Sequence, residues 1–444
     1  MDDNRNGHRP GQVTPSTTVS LSARPERQLI RPGGSYRHVD FQLTVSKPPH
    51  ATNARRMPVR LALVLDRSGS MAGDKLPTAK RATLAVLESL DERDHVAVIA
   101  YDDQIDVVQR CAAATPQVKS RVRSALSEIQ PRASTALHQG WLTGAHEIAS
   151  SEPAAGESGI ARVFLLTDGL ANVGLTDPEQ IAGQAADIRR NAGVGTSTFG
   201  IGADYNELLL GPMAVAGGGQ FHHLRTADEI ANTFVGELGD LLAVAASQVT
   251  LELEVEAGIT AEMISAYRLD ADTGRPNVHS IVVGDLLAGE ERPIIIRFGF
   301  PARNGHNERA IHARVTWRVD GATWQDEWQS VEFRYASDAA CDDEPRDRSV
   351  MHWVGLHHAE RAQARVAQAS FRGDRVGAIN LAREVAAWIA QYANGDADLG
   401  QAVGELKRLE DEVSLAPMAA MAVKETAFRS TSFSRAQKDH RHRP

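Results

Sequence analysis

Cysteine is nearly absent from this 444-residue chain: Cys111 and Cys341 are the only two, and they stand far apart. That excludes a disulfide framework and fits a reducing compartment. No run of 18 apolar residues exists, so no membrane span is expected. The nearest approach, residues 238–249, is too short and is interrupted by Asp240. The N-terminal M-D-D-N-R-N-G-H-R-P-G-Q lacks the apolar centre of a secretory signal. No G-x-x-x-x-G-K-[ST] loop is present, so the chain is not itself a P-loop ATPase. Charge of one sign is also lacking, since the formal net charge of −9 is modest for this length and gives no reason to expect nucleic-acid binding. A cytoplasmic protein without membrane or nucleic-acid partners is the expectation. Apolar residues make up 42% of the chain, enough to fold, and the length calls for two or three domains.

The most informative stretch, residues 61–70, reads L-A-L-V-L-D-R-S-G-S. A short buried apolar run ends there in Asp66, Ser68 and Ser70 at alternate positions, one carboxylate and two hydroxyls on one side of a tight loop. Hard divalent cations such as Mg²⁺ prefer oxygen ligands of this kind in a near-octahedral shell. Hydroxyls bind such ions weakly, so further oxygens must come from elsewhere. Ser134-Thr135 in R-A-S-T-A-L-H-Q-G and Asp168 in V-F-L-L-T-D-G are the candidates.

On these residues the chain resembles the von Willebrand factor type A family and its metal-ion-dependent adhesion site. The family's D-x-S-x-S stands at Asp66, Ser68 and Ser70, its second-loop threonine at Thr135 and its third-loop aspartate at Asp168. The likeness continues through G-I-G at 200–202 and A-G-G-G at 216–219 and covers roughly 180 residues. It implies that the serines and the threonine touch the metal directly, while the two aspartates act largely through water. An open coordination position is then filled by an Asp or Glu of a partner. Mg²⁺ is the implied ion, with Mn²⁺ or Ca²⁺ as alternatives.

The alternation of patterns supports this independently. Strands are expected at 61–65, 95–101, 105–111 and 162–167, with helices between them. The polar turn at 102–104 is too short for a crossover, so its two strands should be antiparallel. Asp177-Pro178 reads as a helix cap with a first-turn proline, and Thr226 to Glu229 has capping-box spacing. Strands alternating with helices build a mostly parallel, doubly covered sheet.

Six segments follow: a disordered 1–17, first sandwich strands at 18–50, a type A unit at 58–243, β-sandwich at 247–336, a helical region at 347–425, and a basic flexible tail at 426–444. The alternation of Val39, Phe41, Leu43 and Val45 is matched by Val249, Leu251, Leu253 and Val255 and by Ile311, Ala313, Val315, Trp317 and Val319. Asp320-Gly321 is a hairpin turn signal. The predicted fold is therefore multidomain α/β plus β plus α: a doubly wound, mostly parallel sheet inserted in an antiparallel β-sandwich, then a small helical bundle. An acidic linker, S-D-A-A-C-D-D-E-P-R-D, precedes the helices. The order of parts loosely resembles the cores of vesicle-coat proteins, a fold-level analogy only.

Other candidates carry weaker chemistry. Arg67 either meets an anionic partner or points to solvent, and Asp102 and Asp103 form a polar turn. Adjacent histidines on a strand face opposite ways, so His222-His223 reads as packed or surface residues rather than a zinc site, as does His357-His358. His138 and His146 lack an orienting carboxylate at useful spacing. The basic residues Arg429, Arg435, Lys438, Arg441 and Arg443 read as a solubilising tail.

The functional expectation is a non-enzymatic, metal-dependent protein-interaction module, an adaptor or scaffold that captures an acidic side chain of a partner protein. The resemblance also suggests a larger machine containing an AAA+ ATPase on another chain. A phosphatase-like metal hydrolase and a purely structural metal are the rival readings.

Overall fold

The computed structural model describes residues 17–46, 56–132, 134–151, 159–272, 274–303, 308–319 and 321–435. The expectations for 1–16, for 47–50 at the end of the first sandwich segment, and for the end of the basic tail, with Lys438, Arg441 and Arg443, lie outside the described residues. Three strands open the chain: β1 (Val19–Pro25), β2 (Leu29–Ile30) and β3 (Ser35–Val45). They have no core of their own.

A central α/β unit follows. Its first half holds β4 (Val59–Asp66), α1 (Lys75–Ser89), β5 (His95–Tyr101), β6 (Ile105–Ala113), α2 (Pro116–Glu128) and α3 (Leu137–Ala149). Its second half holds β7 (Ile160–Thr167), α4 (Pro178–Ala192), β8 (Val194–Ile201), α5 (Glu207–Ala216), β9 (Gly218–Leu224) and α6 (Glu229–Leu242). The sheet order is β6-β5-β4-β7-β8-β9. All neighbours are parallel except β5 and β6, as the short 102–104 turn requires. Both faces are covered, which is why β4 and β7 are continuous apolar runs rather than alternating ones. Leu61, Leu63 and Leu65 pack on one face, Ala62 and Val64 on the other.

From β4 the chain steps to β5 on one side and later to β7 on the other. The topological switch point therefore lies at the carboxyl ends of β4 and β7, where ligands bind in open α/β sheets. Asp177 caps α4 by accepting the Gln180 N–H at 2.8 Å, with Pro178 in the first turn. The capping box expected at Thr226 does not form. Glu229 instead accepts the Arg225 N–H at 2.8 Å, because α6 begins at Glu229 itself.

The chain then continues through β10 (Val244–Val255), β11 (Thr260–Met263), β12 (Asp270–Ala271), β13 (Val278–Leu287), β14 (Glu291–Phe300), β15 (Glu308–Val319), β16 (Ala322–Gln325) and β17 (Gln329–Tyr335). These eight strands and the first three make two sheets, β1-β3-β14-β11 and β12-β13-β10-β15-β17-β2, with β16 beside β15. Val39, Phe41 and Leu43 of one sheet share a core with Leu251, Leu253, Ile311 and Val315 of the other. Pairing is antiparallel throughout except for β2 with β17, which is parallel. β3 runs beside β14 over ten residue pairs, from Thr44 opposite Glu291 to Ser35 opposite Phe300.

The expected acidic linker is a docked helix, α7 (Asp338–Asp343). Asp338 and Asp342 pair with Arg31, and the Glu344 carboxylate accepts the N–H groups of Gln28 and Leu29. The charges that suggested a solvated linker are used to cover a strand edge. Helices α8 (Arg348–Phe371), α9 (Arg375–Ala390) and α10 (Ala397–Leu415) follow, then α11 (Ala420–Ser434).

The last of these corrects the expectation of a flexible tail from residue 426. α11 lies against α8 and β9, with Phe428 buried beside Phe221 and the Lys424 ammonium 2.6 Å from both the Tyr205 carbonyl and the Glu207 carboxylate. Arg435, read as solubilising, is 1% exposed. Its guanidinium donates to the carbonyls of Val215 and Val283 at 3.3 Å. A sparse apolar pattern hid this helix, because much of its docking is done by cations on backbone oxygens.

Helix α8 sits on β3 and β14 through Val350, Met351 and Val354 against Ile264 and Ile295. His357 and His358 lie in this packing, and burial holds each imidazole down to about 3. Neutral histidine is therefore stable in the fold, and stability is lost as pH falls from the unfolded value near 6.5 towards 3. Asp40, pushed up to about 6 by burial, acts in the opposite sense and gains stability as it protonates below 6. Asp66, raised to about the same value by burial, offsets the histidines likewise, so moving from pH 7 to pH 5 should cost about 1 kcal/mol net. Urea midpoints at the two pH values check this, and the His358→Gln chain should show a shallower dependence.

Candidate metal centre

Asp66 is the last residue of β4 and is fully buried. Its Oδ1 accepts the Ser68 N–H at 2.8 Å and its Oδ2 accepts the Thr167 hydroxyl at 2.6 Å. Both oxygens are thus aimed by the protein before any ligand arrives. Burial pushes its carboxyl up to about 6, against the pull of the hydrogen bonds from Ser68 and Thr167. A cation nearby would favour the ionised form.

The loop after β4 turns through a single 3₁₀ turn, Gly69–Met71. This brings the hydroxyls of Ser68 and Ser70 to 3.1 Å from each other. Ser70 Oγ donates to Asp168 Oδ1 at 2.6 Å. Asp168 follows the last residue of β7 and is also fully buried. Thr135 comes from the loop before α3. Its N–H is held by the Asn172 side chain at 2.8 Å, and its carbonyl accepts the N–H groups of Asn172 and Val173 at 3.2 and 3.3 Å. A Cβ on Gly169 would stand 3.3 Å from Ser70 Oγ and 3.9 Å from Thr135 Oγ1. The absence of that side chain leaves the two hydroxyls facing a common space. All five residues expected from the sequence are thus assembled at one edge of the sheet, from three loops.

This donor set, three hydroxyls and two carboxylates, is all oxygen and suits Mg²⁺ or Mn²⁺ better than a soft metal. Neither reading of Arg67 survives. Its guanidinium is buried, 3.0 Å from Asp102 and 2.6 Å from Asp106. Arg132 holds the same Asp102 carboxylate at 2.7 Å, and the Arg132 N–H donates to the Arg67 carbonyl at 2.8 Å. Asp102 does accept the Gln104 N–H within its turn, but it also ties the first metal loop to the second. Although burial alone would raise its pKa, Arg132, the Gln104 N–H and Arg67 hold the Asp102 carboxyl down to about 2. Sequence reasoning missed this role because Asp102 and Arg67 are 35 residues apart.

The histidines are structural. His222 hydrogen-bonds Glu237 at 3.0 Å and stacks on Phe199, while His223, on the other face, meets the Tyr205 hydroxyl at 2.8 Å. His352, Asp396 and Asp398 form a group that the sequence reading did not single out. Its Asp396 carboxylate is engaged with His352 and with the first N–H groups of α10.

Residues 61–235 match the von Willebrand factor type A domain family. The chain contains a type A domain. An uncharacterized protein of Synechocystis sp. is 27% identical over 54% of this chain and 57% of its own length. The chain thus spans little more than half of that relative. A von Willebrand factor type A protein from Catenulispora acidiphila has 20% identity and a TM-score of 0.67, covering 84% of this chain and 88% of that one. The ArnB paralog VWA2 from Sulfolobus acidocaldarius has 16% identity and a TM-score of 0.61, covering 94% of this chain and 99% of that one. At these identities the two structures establish a shared fold. Type A domains serve as protein-interaction modules and typically hold a divalent metal.

Proposed function

We propose that this type A domain protein is a non-enzymatic adaptor that captures an acidic side chain of a protein partner through a divalent cation, Mg²⁺ first among them. Ser68, Ser70 and Thr135 would hold the ion, and Asp66 and Asp168 would orient its water and offset its charge. The convergence of five oxygen-bearing side chains from three loops at the switch point carries this reading. The bound ion would supply Lewis-acid attraction for a carboxylate. Leu170 and Val173, on the loop after Asp168, are exposed at 57% and 36%, and offer apolar contact beside it. His138 hydrogen-bonds the Gln184 amide at 2.7 Å, which leaves it without a carboxylate to orient it as a base and weighs against hydrolysis. The two sheets and the helical region would serve as scaffold and further docking surface. Cys111 and Cys341 are both unpaired, which supports the cytoplasmic setting proposed here. Membership of an assembly with an AAA+ ATPase on another chain is part of the same proposal.

Thr135→Ala tests it most sharply, because Thr135 comes from a different loop than the serines and its loss removes no carboxylate. Partner recovery from native lysate should need Mg²⁺ or Mn²⁺, vanish in EDTA and fall at least tenfold in the variant, about 1.4 kcal/mol of binding. Binding undiminished in EDTA would exclude the metal bridge, and Mg²⁺-dependent phosphatase turnover would favour hydrolysis.

A further inference from the structure

The Lys75 ammonium lies 2.5 Å from Asp168 Oδ2 and 3.4 Å from the Ser70 carbonyl. The other oxygen of the same carboxylate takes the Ser70 hydroxyl. One of the two carboxylates of the site is thus paired with a cation of the chain itself. Lys75 is the first residue of α1 and that helix has no acidic residue in its first turn. A cation is disfavoured at this end, where unsatisfied N–H groups and the helix dipole favour negative charge. Lys75 therefore stands where helix formation argues against it, and Asp168 is the group that draws it there. The guanidinium of the first metal loop, Arg67, is occupied by Asp102 and Asp106.

We propose that Lys75 sets the charge of the metal site, resting on the metal-capture reading above. With Asp66 and Asp168 ionised, the site would neutralise a divalent ion completely. With Lys75 on Asp168 it carries one net negative charge, and the bound ion keeps one positive charge. That residual charge loosens the ion's hold and strengthens its attraction for an arriving carboxylate. Lys75 is a positioning and charge-setting residue that touches Asp168, not the partner. It makes capture dependent on the supply of divalent ion, and lets a partner carboxylate complete the neutralisation.

The test uses the full chain, stripped with EDTA, dialysed and titrated with Mn²⁺ by calorimetry, as wild type, Lys75→Met and Lys75→Arg. Removing one positive charge within a few ångströms of a divalent ion should tighten Mn²⁺ binding about tenfold in Lys75→Met. Lys75→Arg keeps the charge and should stay near wild type. Acetate, the simplest stand-in for a partner carboxylate, should bind the Mn²⁺-loaded Lys75→Met chain several-fold more weakly than wild type, about threefold or more on the same electrostatic grounds. Mn²⁺ affinity in Lys75→Met equal to or weaker than wild type overturns the inference. So does a lower melting temperature in EDTA with unchanged affinity, the mark of a merely structural ion pair. If none of the three chains binds Mn²⁺, the metal reading itself falls and this inference with it.

Discussion

A chain starting at residue 56 is expected to lose its two-sheet layer. The truncation removes β1, β2 and β3, and with them Val39, Phe41, Leu43 and Val45, each no more than 1% exposed. Burial of such side chains contributes about 1.5–3 kcal/mol each. Their combined loss is comparable to the whole stability of a domain, about 5–15 kcal/mol. β14 would also lose β3 along its full length, leaving an unpaired edge that invites aggregation. Thermal unfolding and limited proteolysis should show cleavage within 247–336, while the central α/β unit, with its two separate cores, resists longer. A soluble chain with a single undiminished transition would contradict the discontinuous architecture.

Asp285→Ala is expected to be the most damaging single substitution. Asp285 lies on β13 and its side chain is 3% exposed. It receives Arg162 of β7, Arg189 of α4 at 2.6 Å and the Gln248 N–H at 2.9 Å. Although burial alone would raise its pKa, the charges of Arg189 and Arg162 hold the Asp285 carboxyl below the usual carboxylate range. Replacing an ion triad by well-packed apolar groups can be neutral, but removing one member strands the others. Here two guanidiniums, each 4% exposed, would remain in the interior with only backbone carbonyls for acceptors. The cost should be about 3–5 kcal/mol. Because both arginines belong to the α/β unit and Asp285 to the sheets, the loss should also loosen one from the other. Denaturant melts of wild type and Asp285→Ala, followed by both tryptophan fluorescence and far-UV circular dichroism, would show a lower midpoint and separated transitions. A shift below about 0.5 kcal/mol, within the range of ordinary surface substitutions, would mean that water replaces the carboxylate and the triad contributes little.

What the amino-acid order determines here is local. The apolar runs 61–65 and 162–167 are strands buried on both faces because helices from the neighbouring segments cover the sheet on each side, and short loops then leave Asp66 and Asp168 at the carboxyl edge. Alternation in Val39, Phe41 and Leu43 and in Leu251 and Leu253 marks strands with one buried face, wherever their partners lie. The five candidate metal residues were legible from the D-x-S-x-S spacing together with the resemblance to the type A family, which implies Thr135 and Asp168.

Tertiary structure alone decided the rest, since those contacts join residues remote in sequence whose chemistry is ambiguous in isolation. By sequence Arg67 could meet an anion or point to solvent, and the fold instead sets Asp102 and Asp106 against it. Nothing in the sequence sets Lys75 apart, and only the fold brings Asp168, 93 residues away, to its ammonium. The basic stretch from residue 426 looked unstructured because charge suggests solvation. A buried cation with carbonyl and carboxylate acceptors behaves as a docking group instead, and those acceptors, the carbonyls of Tyr205, Val215 and Val283 and the Glu207 carboxylate, come from other elements. Periodicity reports which face of an element is apolar, but the partner of a polar group is set by where the folded chain places it.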